Sequence, residues 1–127
     1  TLIWIKLALE DLWDPGALGA NPLCDKVAPP GSGTAKRAQA LRDTILHAAQ
    51  GLKTGDQASH FNILNRTFGL QGDTRRRYQL YPTRPSRDDI MAELGLRSKA
   101  EYERRLAAAI AALIAALQDC VVEPHKG

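Results

Sequence analysis

The chain holds little of what builds covalent or metal-centred frameworks. Only two of its 127 residues are cysteine, Cys24 and Cys120. They stand far apart with no CxxC spacing, so neither a disulfide scaffold nor a zinc site is indicated. A reducing, cytoplasmic setting fits that usage, with both thiols filling apolar space rather than reacting. No segment reaches the ~20 apolar residues of a membrane helix, and the N-terminus lacks the basic, apolar and small-residue order of a signal peptide, so no membrane contact is expected. The chain opens on Thr1 instead of methionine, which reads as a fragment or a processed chain with partner domains out of view.

Catalytic groups are equally sparse. His47, His60 and His125 are scattered, and His47 sits among alanines on a predicted helix, the setting of a partly exposed structural histidine. No motif supplies a nucleophile with its base. Gly31-Ser32-Gly33-Thr34 precedes a helix as a phosphate loop does, but Lys36 is out of step with GxxxxGK[ST] and no strand leads into it. The carboxylate pairs Glu10-Asp11 and Asp88-Asp89 lie at predicted helix ends, where the second pair complements the helix dipole. The expectation is a non-enzymatic chain with no cofactor and no metal.

What the sequence does contain is helical period, in a length that suits one domain able to bury a core without staples. Leu2, Ile5, Leu9, Leu12 and Trp13 share a face and predict a helix over 2–13. Asp14-Pro15 predicts a capped turn of helix to Gly19, ended by Asn21-Pro22, with Leu23 and Val27 returning to the core. The run Pro29-Pro30-Gly31-Ser32-Gly33 reads as a flexible linker over 29–34, between an N-terminal helical segment, 1–28, and a helical core, 35–118. Thr34 is the expected N-cap of a helix over 35–52, striped by Ala38, Leu41, Ile45, Ala48, Ala49 and Leu52. Phe61, Leu64 and Phe68 predict another helix that stops at Gly69. From Gln71 to Pro85 the breakers Gly72, Pro82 and Pro85 predict an exposed loop, with a strand pair over Tyr78–Leu80 as the alternative.

The strongest pattern runs from Ser86 to Leu117. Ser86 caps a short helix bearing Ile90, Met91 and Leu94, and Gly95 offers a left-handed stop. Ser98-Lys99-Ala100-Glu101 is a capping box opening a long helix striped by Tyr102, Leu106, Ile110, Leu113 and Leu117. From Leu106 to Leu117 every side chain is apolar, so this helix is either the central core helix or a homodimer contact. The fold class is all-α: a compact bundle of about five helices with a helix-turn-helix-like unit over 86–117 and a long apolar C-terminal helix.

Charge points to the same unit. Residues 1–73 carry seven Lys/Arg and seven Asp/Glu, residues 74–106 nine and five, and residues 107–127 one and two. Such clustering is the footprint of a phosphate-binding surface, and equally that of a solvated basic face. Leu94-Gly95-Leu96, a serine and Tyr102-Glu103-Arg104-Arg105-Leu106 resemble the helix-turn-helix of sigma-factor region four and related bacterial regulators. That resemblance implies a second helix that enters the DNA major groove. Leu9-Glu10-Asp11-Leu12-Trp13-Asp14-Pro15, Asn21-Pro22-Leu23 and Leu41-Arg42-Asp43-Thr44-Ile45-Leu46 further resemble helical segments of bacterial signalling and regulatory proteins, which implies that nearly the whole chain is one module.

Two partners follow. If DNA binds, Ser98, Lys99 and Arg105 meet base edges and Arg75, Arg76, Arg77, Arg84 and Arg87 meet phosphates, with Arg97 and Arg104 beside them. If an acidic protein binds, the same cations and Tyr78, Tyr81, Trp4 and Trp13 form the contact.

Overall fold

The computed structural model describes residues 2–53, 55–80 and 86–122, with side chains described for 3–53, 55–80 and 86–118. Among them the chain is all α: α1 (Leu2–Glu10), α2 (Pro15–Gly19), α3 (Cys24–Val27), α4 (Thr34–Gln50), α5 (Ala58–Phe68), α6 (Gly72–Leu80), α7 (Arg87–Leu94) and α8 (Lys99–Val122), with a 3-10 turn, Gly55–Gln57, before α5. The 24-residue α8 spans roughly 36 Å at the helical rise. It packs against α4, α5 and α1, while α2 and α3 close on α4 and α6 on α5.

One cluster of buried side chains runs through the whole assembly. Ile5, Leu9, Leu12 and Leu18 join Leu41, Ile45, Leu64, Ile110 and Leu113 in it, so the Pro29–Gly33 stretch separates no cores. Asn21 supports the N-terminal part: its Nδ2 donates to the Trp4 carbonyl at 2.9 Å and its Oδ1 accepts from the Leu23 N–H at 2.9 Å. Those bonds satisfy a side chain that is only 6 % exposed, as burial of an amide requires. Cys24 is also buried, with its thiol on the carbonyls of Leu18 and Arg37. Burial pushes that thiol's pKa up, away from the thiolate that reacts.

The expected caps mostly hold. Asp14 accepts from the Ala17 N–H at the start of α2, and Gly69 and Gly95 close α5 and α7 in the left-handed region. Three expectations need correction. The predicted first helix ends at Glu10, and residues 11–13 form turns in which the Asp14 N–H donates to Asp11. Thr34 is the first residue of α4 and Gly33 is its cap, because Gly33 adopts the extended backbone and its carbonyl accepts from the Arg37 N–H.

The third concerns the expected exposed loop or strand pair, most of which is α6. Gly72 starts this helix and the prolines fall beyond its end, so the breakers bound a helix instead of preventing one. Asn65 Oδ1 accepts from the N–H groups of both Leu70 and Gln71 at 2.9 Å, which turns the chain from α5 into α6. Tyr78 is then buried, with its hydroxyl donating to the Thr67 carbonyl at 2.8 Å, whereas Leu80 stands exposed. Tyr81, Pro82, Arg84 and Pro85 lie outside the described residues.

Helix α8 also differs from a helix buried all round. Tyr102, Ala109, Ile110, Leu113 and Leu117 are buried, Leu106 and Ile114 half-buried, and Ala107, Ala108, Ala111 and Ala115 exposed. A methyl group on water is a small cost compared with an exposed leucine, so alanine lets an apolar stretch keep an open face. No helix of the described residues is long and apolar enough to cross a membrane.

The tightest seat is at Gly69. It has φ +73°, and a Cβ there would run into the Tyr78 ring. Gly69→Ala combines left-handed strain with overpacking, so it should cost roughly 2–4 kcal/mol. Urea unfolding followed by circular dichroism checks this, and a loss under ~1 kcal/mol would contradict the packing of α6 on the α5 terminus.

Candidate nucleic-acid interface

The unit formed by α7 and α8 is fastened at each of its ends. Ser86 Oγ accepts from the Asp89 N–H at 3.1 Å, and Asp88 and Asp89 occupy the first turn of α7. At the other end Gly95 has φ +72°, and the Leu96 N–H donates back to the Met91 carbonyl at 2.9 Å. That six-residue closure is a Schellman ending, and only glycine takes its left-handed position without strain. Leu96 is buried, so it anchors the turn and leaves Arg97 and Ser98 outside. Ser98 Oγ then accepts from the Glu101 N–H at 3.1 Å, which is the serine half of the expected capping box. The Glu101 carboxylate faces Arg104 at 3.8 Å and Arg105 at 3.7 Å.

Long-range contacts hold the unit on the bundle. The Tyr102 and Thr67 hydroxyls share a buried hydrogen bond of 2.9 Å, tying α8 to α5. Arg87 of α7 pairs with Glu103 of α8 at 2.9 Å, and Arg66 of α5 pairs with Glu93 of α7 at 3.6 Å. All four of these charged side chains are at least 43 % exposed, so each pair contributes at most ~1 kcal/mol and acts mainly by orienting its partners.

The candidate cations divide accordingly. Arg97, Ser98, Lys99 and Arg104 are exposed around the start of α8, as are Arg76 and Arg77 on α6. Among the described residues Arg76, Arg77, Arg97 and Lys99 have no carboxylate partner. Arg75 is held elsewhere: its guanidinium carbon lies 5.1 Å from the Trp13 ring centroid, as does that of Arg42. Burial pulls the Arg42 pKa down, and the charge of Arg75 adds in the same direction while Asp43 opposes it. Arg84 lies outside the described residues.

Clefts locate the rest. Arg87 lines one of about 420 Å³ with Lys6, Glu10 and Ile110, on the α1 side of the unit. Arg105 lines another of about 220 Å³ with Ser59, His60 and Asn62 of α5. A third, of about 170 Å³, brings Arg77 and Asp73 of α6 to Arg66 and Glu93. A fourth, of about 230 Å³, is bordered by Glu10, Asp11 and Asp14 around Trp13 and Tyr78. The unit therefore carries Arg97, Ser98, Lys99, Arg104 and Arg105 around the start of α8, Arg77 stands apart on α6 beside Asp73, Arg66 and Glu93, and Arg75 and Arg87 are left to structural partners.

Sequence reasoning found α5 but assigned its polar face no role. Ser59, Asn62 and Arg66 are exposed, and their spacing puts them on one helical face, a signal that was present but had no known neighbour to give it meaning. Among the described residues no group of three or more His, Cys, Asp or Glu side chains could hold a metal ion.

No protein-family model, no curated protein and no solved structure matches this chain.

Ser98→Ala removes the cap of α8 and should cost about 1 kcal/mol of stability. Equilibrium urea unfolding measures it, and an unchanged midpoint would mean that the Ser98 bond does not hold the helix start.

Proposed function

We propose that this chain is a non-enzymatic regulatory module that binds DNA through the helix-turn-helix-like unit of α7 and α8, in bacterial transcription or signalling in the cytoplasm. One observation carries this reading: Arg97 and Lys99 flank the serine-capped, exposed start of α8 with no carboxylate partner among the described residues, while Glu93, Glu101 and Glu103 are each taken by an arginine. Acidic groups that would repel a phosphate are thereby offset where the helix begins. Ser98, at the cap, and Lys99 and Arg104, on the first turns of α8, are the base-edge readers; Arg76, Arg77 and Arg97 are the phosphate contacts, which position the protein without reading sequence. The arginine fork suits both tasks because it offers two parallel donors. With a net charge of only +3, useful affinity requires a second copy or a partner domain on the same DNA.

A second reading is favoured by α1. Ile3 is 67 % exposed and Trp4 41 %, and Leu7 stands beside them, an apolar face of the kind that marks protein contacts. In that reading the module is a helical adapter of a larger signalling or defence protein. Its basic surface docks an acidic partner, or two copies meet through the alanine face of α8.

Fluorescence anisotropy with a mixed-sequence duplex separates the two. Under the DNA reading, affinity falls as salt rises from 50 to 200 mM with a log–log slope of about −3, as expected for three phosphate contacts, and Arg97→Gln flattens that slope by about 0.9. Absence of binding at tens of micromolar protein sinks the DNA reading for the isolated domain and leaves the adapter.

A further inference from the structure

We infer that the cleft between α5 and α8 seats one sugar–phosphate unit of a nucleic-acid backbone. This inference rests on the DNA-binding reading and extends it to α5, which that reading does not use. The observation behind it is a contrast among the four clefts described above. Those lined by Lys6 and Arg87, by Arg66 and Arg77, and by Trp13 and Tyr78 all contain carboxylates. The cleft of about 220 Å³ lined by Arg105 contains none. An anion entering it meets Arg105, whose nearest carboxylate, Glu101 at 3.7 Å, is not part of the wall.

The wall chemistry matches the two halves of a backbone unit. Ser59, His60 and Asn62 bring a hydroxyl, an imidazole and an amide to the cleft, and among the described residues none of these side chains makes an intramolecular hydrogen bond. Arg105 adds a guanidinium that is 56 % exposed, and its contact with Glu101, at 3.7 Å, is longer than a hydrogen bond, so its donors remain available. Ile63, Leu94 and Leu96 line the same space, an apolar surface for the carbon face of a sugar. The cleft is several times the ~30 Å³ share of one water, which leaves room for a phosphate and its adjoining sugar.

Position supports the assignment. Leu94 and Leu96 bracket the Gly95 turn immediately before Arg97, Ser98 and Lys99. A strand seated in the cleft therefore passes the start of α8 at the point where the helix would meet the groove. Backbone contacts of this kind fix the register of a reading helix without themselves reading sequence.

The test is duplex anisotropy at a series of salt concentrations on the whole chain. Asn62→Asp puts a carboxylate into the cleft, and Gln39→Asp makes the same charge change on an exposed position of α4. Asn62 and Gln39 are both exposed, so both variants should fold, and circular dichroism melts verify that they do. The seat predicts that Asn62→Asp binds on the order of tenfold more weakly than Gln39→Asp, and that Arg105→Gln flattens the log–log salt slope by about 0.9. Equal affinity of Asn62→Asp and Gln39→Asp, with wild-type binding intact and sensitive to Arg97→Gln and Lys99→Gln, overturns the seat and keeps the DNA reading. Failure of the wild-type chain to bind duplex at all overturns the reading and the seat together.

Discussion

The indole of Trp13 is the constraint on which the arrangement of helices rests. Its Nε1 donates to the carbonyls of Phe68 and Gly69, each at 3.1 Å, the end of α5 where the chain turns left-handed. Its ring faces two guanidiniums, Arg42 from α4 and Arg75 from α6, and Arg42 Nε in turn donates to the Leu12 carbonyl at 2.9 Å. One side chain in the turn after α1 thus joins α4, α5 and α6. Two like charges beside one ring are tolerated because the π face attracts cations and the Leu12 carbonyl accepts from one of them, Arg42. The electrostatic cost appears in Arg42, whose pKa is pulled down by burial with Arg75 acting in the same direction.

That arrangement sorts the basic residues into two populations. Arg37, Arg42, Arg66, Arg75 and Arg87 are engaged by carbonyls, carboxylates or an aromatic ring. Arg76, Arg77, Arg97 and Lys99 are left open to solvent. The first population holds elements together; the second leaves exposed cations on α6 and at the start of α8. A modest overall charge can therefore coexist with individual cations that make no ion pair among the described residues.

Local signals were legible in the sequence wherever one residue determines the backbone. Asp14, Ser86 and Ser98 cap as their positions suggested, and Gly69 and Gly95 end helices as left-handed residues. The core stripes of α4 and α5 were readable because burial follows helical period. What escaped was long-range. Nothing near Tyr78 in sequence indicates that its hydroxyl reaches Thr67, so the segment around it read as loop. Arg75 looked like its neighbours Arg76 and Arg77, and only the Trp13 contact distinguishes it. The polar face of α5 acquired meaning only through Arg105, more than forty positions away. On α8 the apolar run concealed a distinction of size: leucine and isoleucine turned to the core, with Ala109 among them, while Ala107, Ala108, Ala111 and Ala115 took the water.

The packing of α1 against α8 has a consequence for biosynthesis. Ile5, Ala8 and Leu9 belong to the same buried cluster as Ile110 and Leu113, so α1 waits for α8, made about a hundred residues later, before its inner face is fully covered. On a ribosome adding roughly 5–20 residues each second, that face stays open for several seconds while α4 and α5 are already emerging. During that interval Ile5, Ala8 and Leu9 stay open to a chaperone, and the bundle closes only once α8 has left the ribosome.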